Sequence, residues 1–183
     1  ELAREIGDKR DEATWIGNIA TVQYYQGDVE KAMGLYSVAI NLFRELGDKR
    51  REAEQLNNIG NSYYLLGKLD EAIEVHQMVL GIARNTGDKR LEASALGNLG
   101  VAYTDLGELE RGINYLLQAL EVSKGIQDVQ IEANALWGLS SVFQTENDFA
   151  KSLACIIPVI YYSTNSSKIQ IILTQLYKLS SRS

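Results

Sequence analysis

Three asparagines, Asn18, Asn58 and Asn98, stand at intervals of 40 residues. A carboxamide both donates and accepts hydrogen bonds, so a row of them can pair with both polar groups of an extended peptide backbone. The same side chains can instead bond to neighbouring helices of their own protein, and the sequence leaves both interpretations open. The next position of the series is Gly138, so we expect the row to end at the third copy.

The remaining reactive residues do not form a catalytic or metal-binding set. One cysteine and one histidine supply neither a thiolate zinc site nor a multi-histidine centre. His76 falls in a column of bulky residues and is predicted to pack in the core, while Cys155 lies in an apolar run and is predicted to be a small buried hydrophobic residue. We therefore expect no enzyme activity, no catalytic residue, no cofactor and no metal.

Composition limits the classes of partner. The chain of 183 residues has 24 acidic and 18 basic residues, a formal net charge of −6. This balance argues against nucleic acid and against an anionic membrane surface as partners. No apolar run approaches the roughly 18 residues that span a bilayer, and we expect a cytoplasmic location. The chain begins at Glu1 without a methionine, so we expect it to be a fragment of a longer protein.

The asparagines belong to a longer repeat. The sequence Gly-Asp-Lys-Arg at residues 7–10 recurs at 47–50 and 87–90, and a degenerate copy follows at 127–130. Other columns align at the same offset without insertion. Bulky, apolar and small residues recur in them: Leu56 with Leu96, Ile59 with Leu99, Gly60 with Gly100, Tyr63 with Tyr103, Ala72 with Gly112, His76 with Leu116, Val79 with Ala119.

Spacing within each copy indicates two helices. Leu56, Ile59, Gly60 and Tyr63 fall at i, i+3, i+4 and i+7, which is one stripe of an α-helix, and a second stripe follows over residues 72–80. Glycines between the stripes predict helix ends and tight turns. One helix hairpin cannot bury its apolar face alone, so the copies are predicted to stack into a solenoid.

The linker between copies is predicted to be structural. Asp88, after the glycine at position 87, is a plausible N-cap of the next helix. Lys49 and Lys89 precede Glu52 and Glu92, and we expect exposed ion pairs at these helix ends.

These columns resemble the tetratricopeptide repeat family. The 40-residue period is longer than the common form of the repeat and is similar to the subtype found in the spindle-orientation adaptors LGN or Pins, in kinesin light chain relatives and in bacterial signalling proteins. The resemblance implies an all-α fold, a right-handed α-solenoid of antiparallel helix pairs with about four and a half repeats.

The repeats set the predicted boundaries within a single domain over residues 1–183. Residues 1–6 align with residues 41–46 and are predicted to end a preceding helix. The four repeats are assigned to residues 7–46, 47–86, 87–126 and 127–166, and a capping helix to residues 167–183. Pro158 should kink or end the last helix of the fourth copy.

The resemblance also places the first helix of each copy on a concave wall. Wall positions outside the site set are Thr14, Gly17, Thr21, Tyr25, Ser94, Gly97, Val101, Thr104, Asn134, Ser141 and Gln144. The predicted peptide-binding residues are Asn18, Asn58, Asn98, Asn57, Asn61, Tyr24, Tyr64, Glu54, Asp105 and Trp137. For Trp137, and for Tyr177 aligned with it, packing at the C-terminal cap is the alternative.

The wall positions carry no lysine or arginine, so binding of a C-terminal carboxylate is not expected. Glu54 and Asp105 instead favour a neutral or basic peptide. The predicted function is that of an adaptor or sensor module that binds a peptide or protein segment in the groove. The alternative is a self-association scaffold, a homo-oligomer formed through the C-terminal helix, whose apolar stripe is Ile169, Ile172, Leu173 and Leu176.

Overall fold

A computed structural model describes residues 8–145 together with residues 151, 152, 154, 155 and 157. Over residues 8–145 the chain forms seven α-helices and no strand. They are α1 (Lys9–Tyr25), α2 (Val29–Glu45), α3 (Lys49–Leu65), α4 (Leu69–Thr86), α5 (Lys89–Asp105), α6 (Leu109–Gly125) and α7 (Val129–Thr145). Corresponding helices begin 40 residues apart, as the repeat pattern predicts.

An aspartate caps each first helix of a hairpin. The side chains of Asp8, Asp48, Asp88 and Asp128 accept a hydrogen bond from a backbone N–H two or three residues later, at 3.0–3.2 Å. Each bond satisfies one of the N–H groups that a helix start leaves without an intrahelical partner. The N-cap predicted at Asp88 is therefore confirmed.

The second helix of a hairpin is followed by a residue in the left-handed backbone conformation. Gly87 has a φ of +72° at the end of α4, a conformation that costs a residue with a Cβ atom free energy. In the fourth copy Gln127 occupies the equivalent place with a φ of +57°. The degenerate linker thus keeps the left-handed backbone conformation of this turn, although a glutamine replaces the glycine.

The chain divides into two compact units, Glu1–Ala95 and Leu96–Ser183. In the first unit α1 packs against α2, α2 against α3, and α3 against α4. Small residues let these helices approach closely. Phe43 packs with Ala13 and Ala39 in one cluster, and the ring of His76 lies over Gly60 in the next hairpin. His76 is buried, as its column predicts.

The second unit contains residues 96–105 of α5, together with α6 and α7. Its core is built around Leu116, which packs with Leu139 and Val142 and lies directly against Gly100. Cys155 is partly buried at the edge of this cluster. Burial raises the pKa of its thiol, which keeps it protonated and makes it a poor nucleophile, in line with the sequence prediction.

Several predictions concern parts of the chain that lie outside the described residues. They are the helix end at residues 1–6, the chain path at Pro158 and residues 163–167, and the capping helix at 167–183. Among the helices over residues 8–145, none is both long enough and apolar enough to cross a membrane.

Candidate functional site

One face of α3 carries polar and aromatic side chains that stay accessible. Glu54, Asn57, Asn61 and Tyr64 stand at i, i+3, i+7 and i+10, so they share one side of the helix. The first three are half-buried and Tyr64 is exposed. The neighbouring face of α3, which includes Ile59, is buried in the core. The packing of this helix therefore leaves an open row of amides that ends in an aromatic ring.

The corresponding face of α1 continues this chemistry. Thr21 is half-buried, and its hydroxyl accepts a hydrogen bond from the Tyr36 hydroxyl at 3.1 Å. Tyr24 and Tyr25 meet edge to face, with ring centroids 5.6 Å apart, and Tyr25 is 82% exposed. Burial, with a smaller contribution from Tyr25, raises the pKa of Tyr24. Both rings offer apolar contact area with a hydroxyl group at the edge.

Gly17, predicted as a wall residue, is a buried position on α1. A Cβ atom there would lie 2.7 Å from Oε1 of Gln55 on α3. The glycine is needed because Gln55 crosses this point between α1 and α3. Oε1 of Gln55 is itself buried and has no hydrogen-bond partner within the described residues.

The acidic charge on the α3 face is already paired. The Glu54 carboxylate lies 3.4 Å from Nε of Arg50, and the same nitrogen lies 2.9 Å from Asp88. A carboxylate with a partner at this distance attracts a second cation less strongly. An isolated Glu54 carboxylate would favour a basic ligand, and its ion pair with Arg50 weakens that preference.

Arg51 lies beside this face and is not among the residues predicted from the sequence. Its Nη1 donates to the Thr14 hydroxyl at 2.8 Å, and its guanidinium lies over the Phe43 ring, 5.8 Å from the centroid. Nε lies 3.9 Å from Asp48. The equivalent positions in the other copies hold Asp11, Leu91 and Ile131, so no repeated column signals this arginine.

The asparagine row occupies accessible places. Asn18 is exposed and Asn58 is half-buried, and both belong to the first unit. The Ser62 hydroxyl donates to the backbone carbonyl of Asn58 at 2.8 Å. Asn98 is half-buried in the second unit. Whether these carboxamides hold a ligand backbone stays a prediction.

Two predicted site residues of the second unit are exposed. Asp105 lies at the end of α5, and Trp137 on α7 is 63% exposed within the described residues. Asn134, one turn before Trp137, accepts a hydrogen bond from the Gln130 amide at 3.2 Å. Tyr177, predicted to share a column with Trp137, lies outside the described residues, so the capping alternative for Trp137 stays open.

The described residues contain no group of three or more histidine, cysteine, aspartate or glutamate side chains arranged to hold a metal ion. Burial lowers the pKa of His76 to about 4, and its ring faces Gly60 rather than solvent. This histidine is a core residue.

Comparison with known proteins finds a family model that matches part of the chain. The family model described as tetratricopeptide repeat matches residues 51–125. No curated protein sequence matches this chain.

Solved structures with the same fold are similar over nearly all of the chain. BtubC (BKLC) from P. vanneervenii has a TM-score of 0.75 at 21% identity, over 98% of this chain and 78% of its own. RapI in its apo form has a TM-score of 0.77 at 18% identity, over 97% of this chain and 54% of its own.

A third similar structure is a signal transduction ATPase with numerous domains from Pyrococcus horikoshii, which carries a tetratricopeptide repeat sensor. Its TM-score is 0.72 at 18% identity, over 100% of this chain and 32% of its own. The chain thus spans about half the length of RapI and a third of the ATPase. Together these structures confirm the predicted fold class, an all-α helical-repeat solenoid.

Proposed function

We propose that this chain, whose residues 51–125 match the tetratricopeptide repeat family model, binds an extended peptide or protein segment along the accessible faces of α1 and α3. The family is a non-catalytic interaction fold whose repeats generally mediate contacts between proteins. On this proposal the chain is the adaptor or sensor part of a longer cytoplasmic protein. The sensor that the Pyrococcus ATPase carries supports such a role by analogy.

One observation carries the proposal. The face of α3 presents Asn57 and Asn61 one turn apart and ends in the exposed ring of Tyr64. Amides spaced along a helix provide donors and acceptors for an extended backbone, and an exposed tyrosine at the end of the row provides a large apolar contact. In the first unit the Tyr24 and Tyr25 rings occupy the matching end of α1.

The charges of this face define the partner. Glu54 is paired with Arg50, and the other members of the α3 row carry no charge. We infer that the segment in contact with α3 is uncharged, with an exposed backbone and apolar or aromatic side chains for the tyrosines. A free C-terminal carboxylate is disfavoured because no member of the row is a cation.

Peptide selection followed by substitution tests this function. A phage-displayed library of random peptides is selected on the purified chain, and the affinity of the best binders is measured by calorimetry. Asn58→Ala and Asn61→Ala should each weaken binding by about 1–3 kcal/mol, because each removes an amide from the ligand interface. That loss corresponds to roughly a fivefold to hundredfold increase in Kd.

Asn41→Ala provides the matched control, since Asn41 is an exposed asparagine on α2, away from the proposed face. Circular dichroism and thermal unfolding establish that each variant stays folded. If the α3 variants bind as tightly as the Asn41 variant, the asparagines are structural and the proposal fails.

A further inference from the structure

The face formed by α1 and α3 has two chemically different ends. Nη1 of Arg51 donates to the Thr14 hydroxyl, and one turn later the Gln55 side chain lies over Gly17. Because both contact pairs follow the same order along the two helices, α1 and α3 run parallel within the first unit. The N-terminal end of the face therefore carries the Arg51 guanidinium, and the C-terminal end carries the last residues of both helices.

The C-terminal end is apolar. Tyr25 ends α1, and Tyr64 and Leu65 end α3. Leu65 is 55% exposed, and the three side chains together present roughly 400 Å² of largely apolar surface. An exposed patch of this size is often functional in a soluble protein. The third copy has a threonine and an aspartate in the matching columns, at residues 104 and 105, so the patch does not follow from the repeat itself.

The N-terminal end offers hydrogen-bond donors on a side chain that is held in place. The Arg51 guanidinium is fixed by the Thr14 hydroxyl and the Phe43 ring and stays partly exposed. It has five N–H donors, and the bond to Thr14 uses one of them. The Asp48 carboxylate lies 3.9 Å from Nε, so a second carboxylate bound here would meet a like charge. The remaining donors therefore suit a neutral oxygen, such as that of a carboxamide.

We propose that this site takes a segment with two anchors in a fixed order. One anchor is an asparagine or glutamine side chain bound by Arg51, and the other is an aromatic or large aliphatic side chain packed on Tyr25, Tyr64 and Leu65. Tyr64 follows Arg51 by 13 residues, about 20 Å along the helix, which an extended chain covers in roughly six residues. The inference rests on the proposed function and adds to it the length and direction of the bound segment.

The two ends supply a register that the amide row lacks. Asn57 and Asn61 lie between Arg51 and Tyr64 on α3. A carboxamide both donates and accepts hydrogen bonds, so these amides suit an extended backbone in either direction and at any position. Two unlike anchors admit only one direction, and their separation selects one position.

Sequencing of selected peptides tests the two anchors. A phage-displayed library of random 12-residue peptides is selected on the purified chain. We expect enriched peptides to carry an asparagine or glutamine and an aromatic or large aliphatic residue in one constant order, with roughly four or five residues between them. Enriched peptides without this pair overturn the inference and leave the proposed function intact. If no peptide is enriched, the proposed function fails, and this inference fails with it.

Calorimetry with the consensus peptide assigns each anchor to its site. Arg51→Gln should raise Kd roughly tenfold or more, and Leu65→Ala should raise it roughly fivefold. Leu117→Ala is the matched control, because Leu117 is 51% exposed and belongs to the second unit. This control should leave Kd unchanged. An equal effect of Leu65→Ala and Leu117→Ala overturns the apolar anchor.

Alanine in place of the peptide's carboxamide residue separates recognition from a structural role of Arg51. On the unaltered protein this peptide should bind roughly tenfold more weakly, and Arg51→Gln should weaken it no further. Loss of the Thr14 bond alone would instead weaken both peptides equally, and that result overturns the role of Arg51. Because the peptide change leaves the protein as it is, the test holds even where Arg51→Gln lowers stability.

Arg51→Lys distinguishes a neutral anchor from an acidic one. Lysine keeps the charge but loses the planar set of donors, so this variant should bind the consensus peptide as weakly as Arg51→Gln. If Arg51→Lys binds as tightly as the wild type, or if the enriched peptides carry aspartate or glutamate at this anchor, the site recognises charge and the carboxamide assignment is overturned.

Discussion

His76 occupies a core position that other copies of the repeat give to Tyr36 and Leu116. A Cβ atom on Gly60 would lie 2.5 Å from Cε1 of the imidazole, so the ring fills the space that this glycine provides. Nδ1 is buried and has no hydrogen-bond partner within the described residues. A proton on this ring would place a charge in an apolar site, which is why burial lowers its pKa to about 4.

This histidine makes stability depend on pH in a defined window. Above the ordinary histidine pKa of 6.5, the ring is neutral in both the folded and the unfolded chain, and this group costs no stability. Between that pH and about 4, the unfolded chain binds a proton that the folded chain excludes. The free energy of unfolding should therefore fall by up to about 1.4 kcal/mol for each unit of decreasing pH, measured by urea denaturation.

His76→Leu, which installs the residue found at Leu116, isolates this effect. The variant should show little change in stability over the same window. Glu52 and Glu92 have pKa values below the usual carboxyl value of 4.5, so their contribution to stability is lost as the pH falls below about 4.5, at the lower end of this window. Equal losses in the wild type and the variant would assign the pH dependence to other groups.

The ends of the helices show what the repeated linker does. Glu52 in the first turn of α3 is buried, and its oxygens lie 2.8 Å from Nη2 of Arg44 and 2.9 Å from Nζ of Lys49. Burial raises the pKa of this carboxyl. The hydrogen bonds from Lys49 and Arg44 together lower it by more, so the net pKa is below its usual range. Glu92 repeats the arrangement with Arg84 and Lys89.

The arginine of the linker joins successive repeats. Nε of Arg10 lies 3.8 Å from Asp48, and Nε of Arg50 lies 2.9 Å from Asp88. Each of these aspartates also caps the helix that follows it. The linker therefore turns the chain, caps a helix, binds a buried carboxylate and connects neighbouring first helices, which explains its recurrence without any phosphate-binding role.

The degenerate fourth linker provides a stability test. Gln127 holds a φ of +57°, in the left-handed region that costs a residue with a Cβ atom roughly 1 kcal/mol or more. Gln127→Gly should thus raise the free energy of unfolding by about 1 kcal/mol in denaturant titrations. The same substitution at Gln77, exposed inside α4, should lower it by a similar amount because glycine is a poor helix former. Destabilisation by both changes would show that no strain is stored at Gln127.

Periodicity predicts elements better than it predicts contacts between them. The helix starts, the N-cap at Asp88 and the burial of His76 all follow from columns that recur in several copies. The lysine–glutamate pairs were also predicted, but as exposed pairs, whereas the carboxylate of Glu52 is buried. The buried carboxylate of Glu52 is paired with Arg44 on the preceding helix, and Arg44 lies outside the repeated linker sequence.

Contacts that occur in only one copy cannot be predicted from the repeat pattern. Gln55 crosses Gly17, and Arg51 bonds Thr14, although each pair lies 37 or 38 residues apart. No column records these pairs, because the other copies have different residues in the same places. The accessible faces could therefore be located from the sequence, while their charge balance required the observed packing.

The molecule as a whole is negatively charged, but the acidic residue on the proposed face has a basic partner. The formal net charge is −6, which would favour a basic partner at long range. On the proposed α3 face, however, Glu54 is paired with Arg50, and Asn57 and Asn61 carry no charge. Contact with the ligand should then depend on hydrogen bonds and apolar area rather than on ion pairing.

The salt dependence of binding distinguishes these two contributions. For a peptide selected on the chain, we expect Kd to change by less than roughly threefold between about 50 mM and about 300 mM salt, since uncharged contacts are little screened. Glu54→Gln should leave this salt dependence unchanged, because the carboxylate is already paired with Arg50. A tenfold or greater weakening across this range, reduced by Glu54→Gln, would instead show that the face selects basic segments.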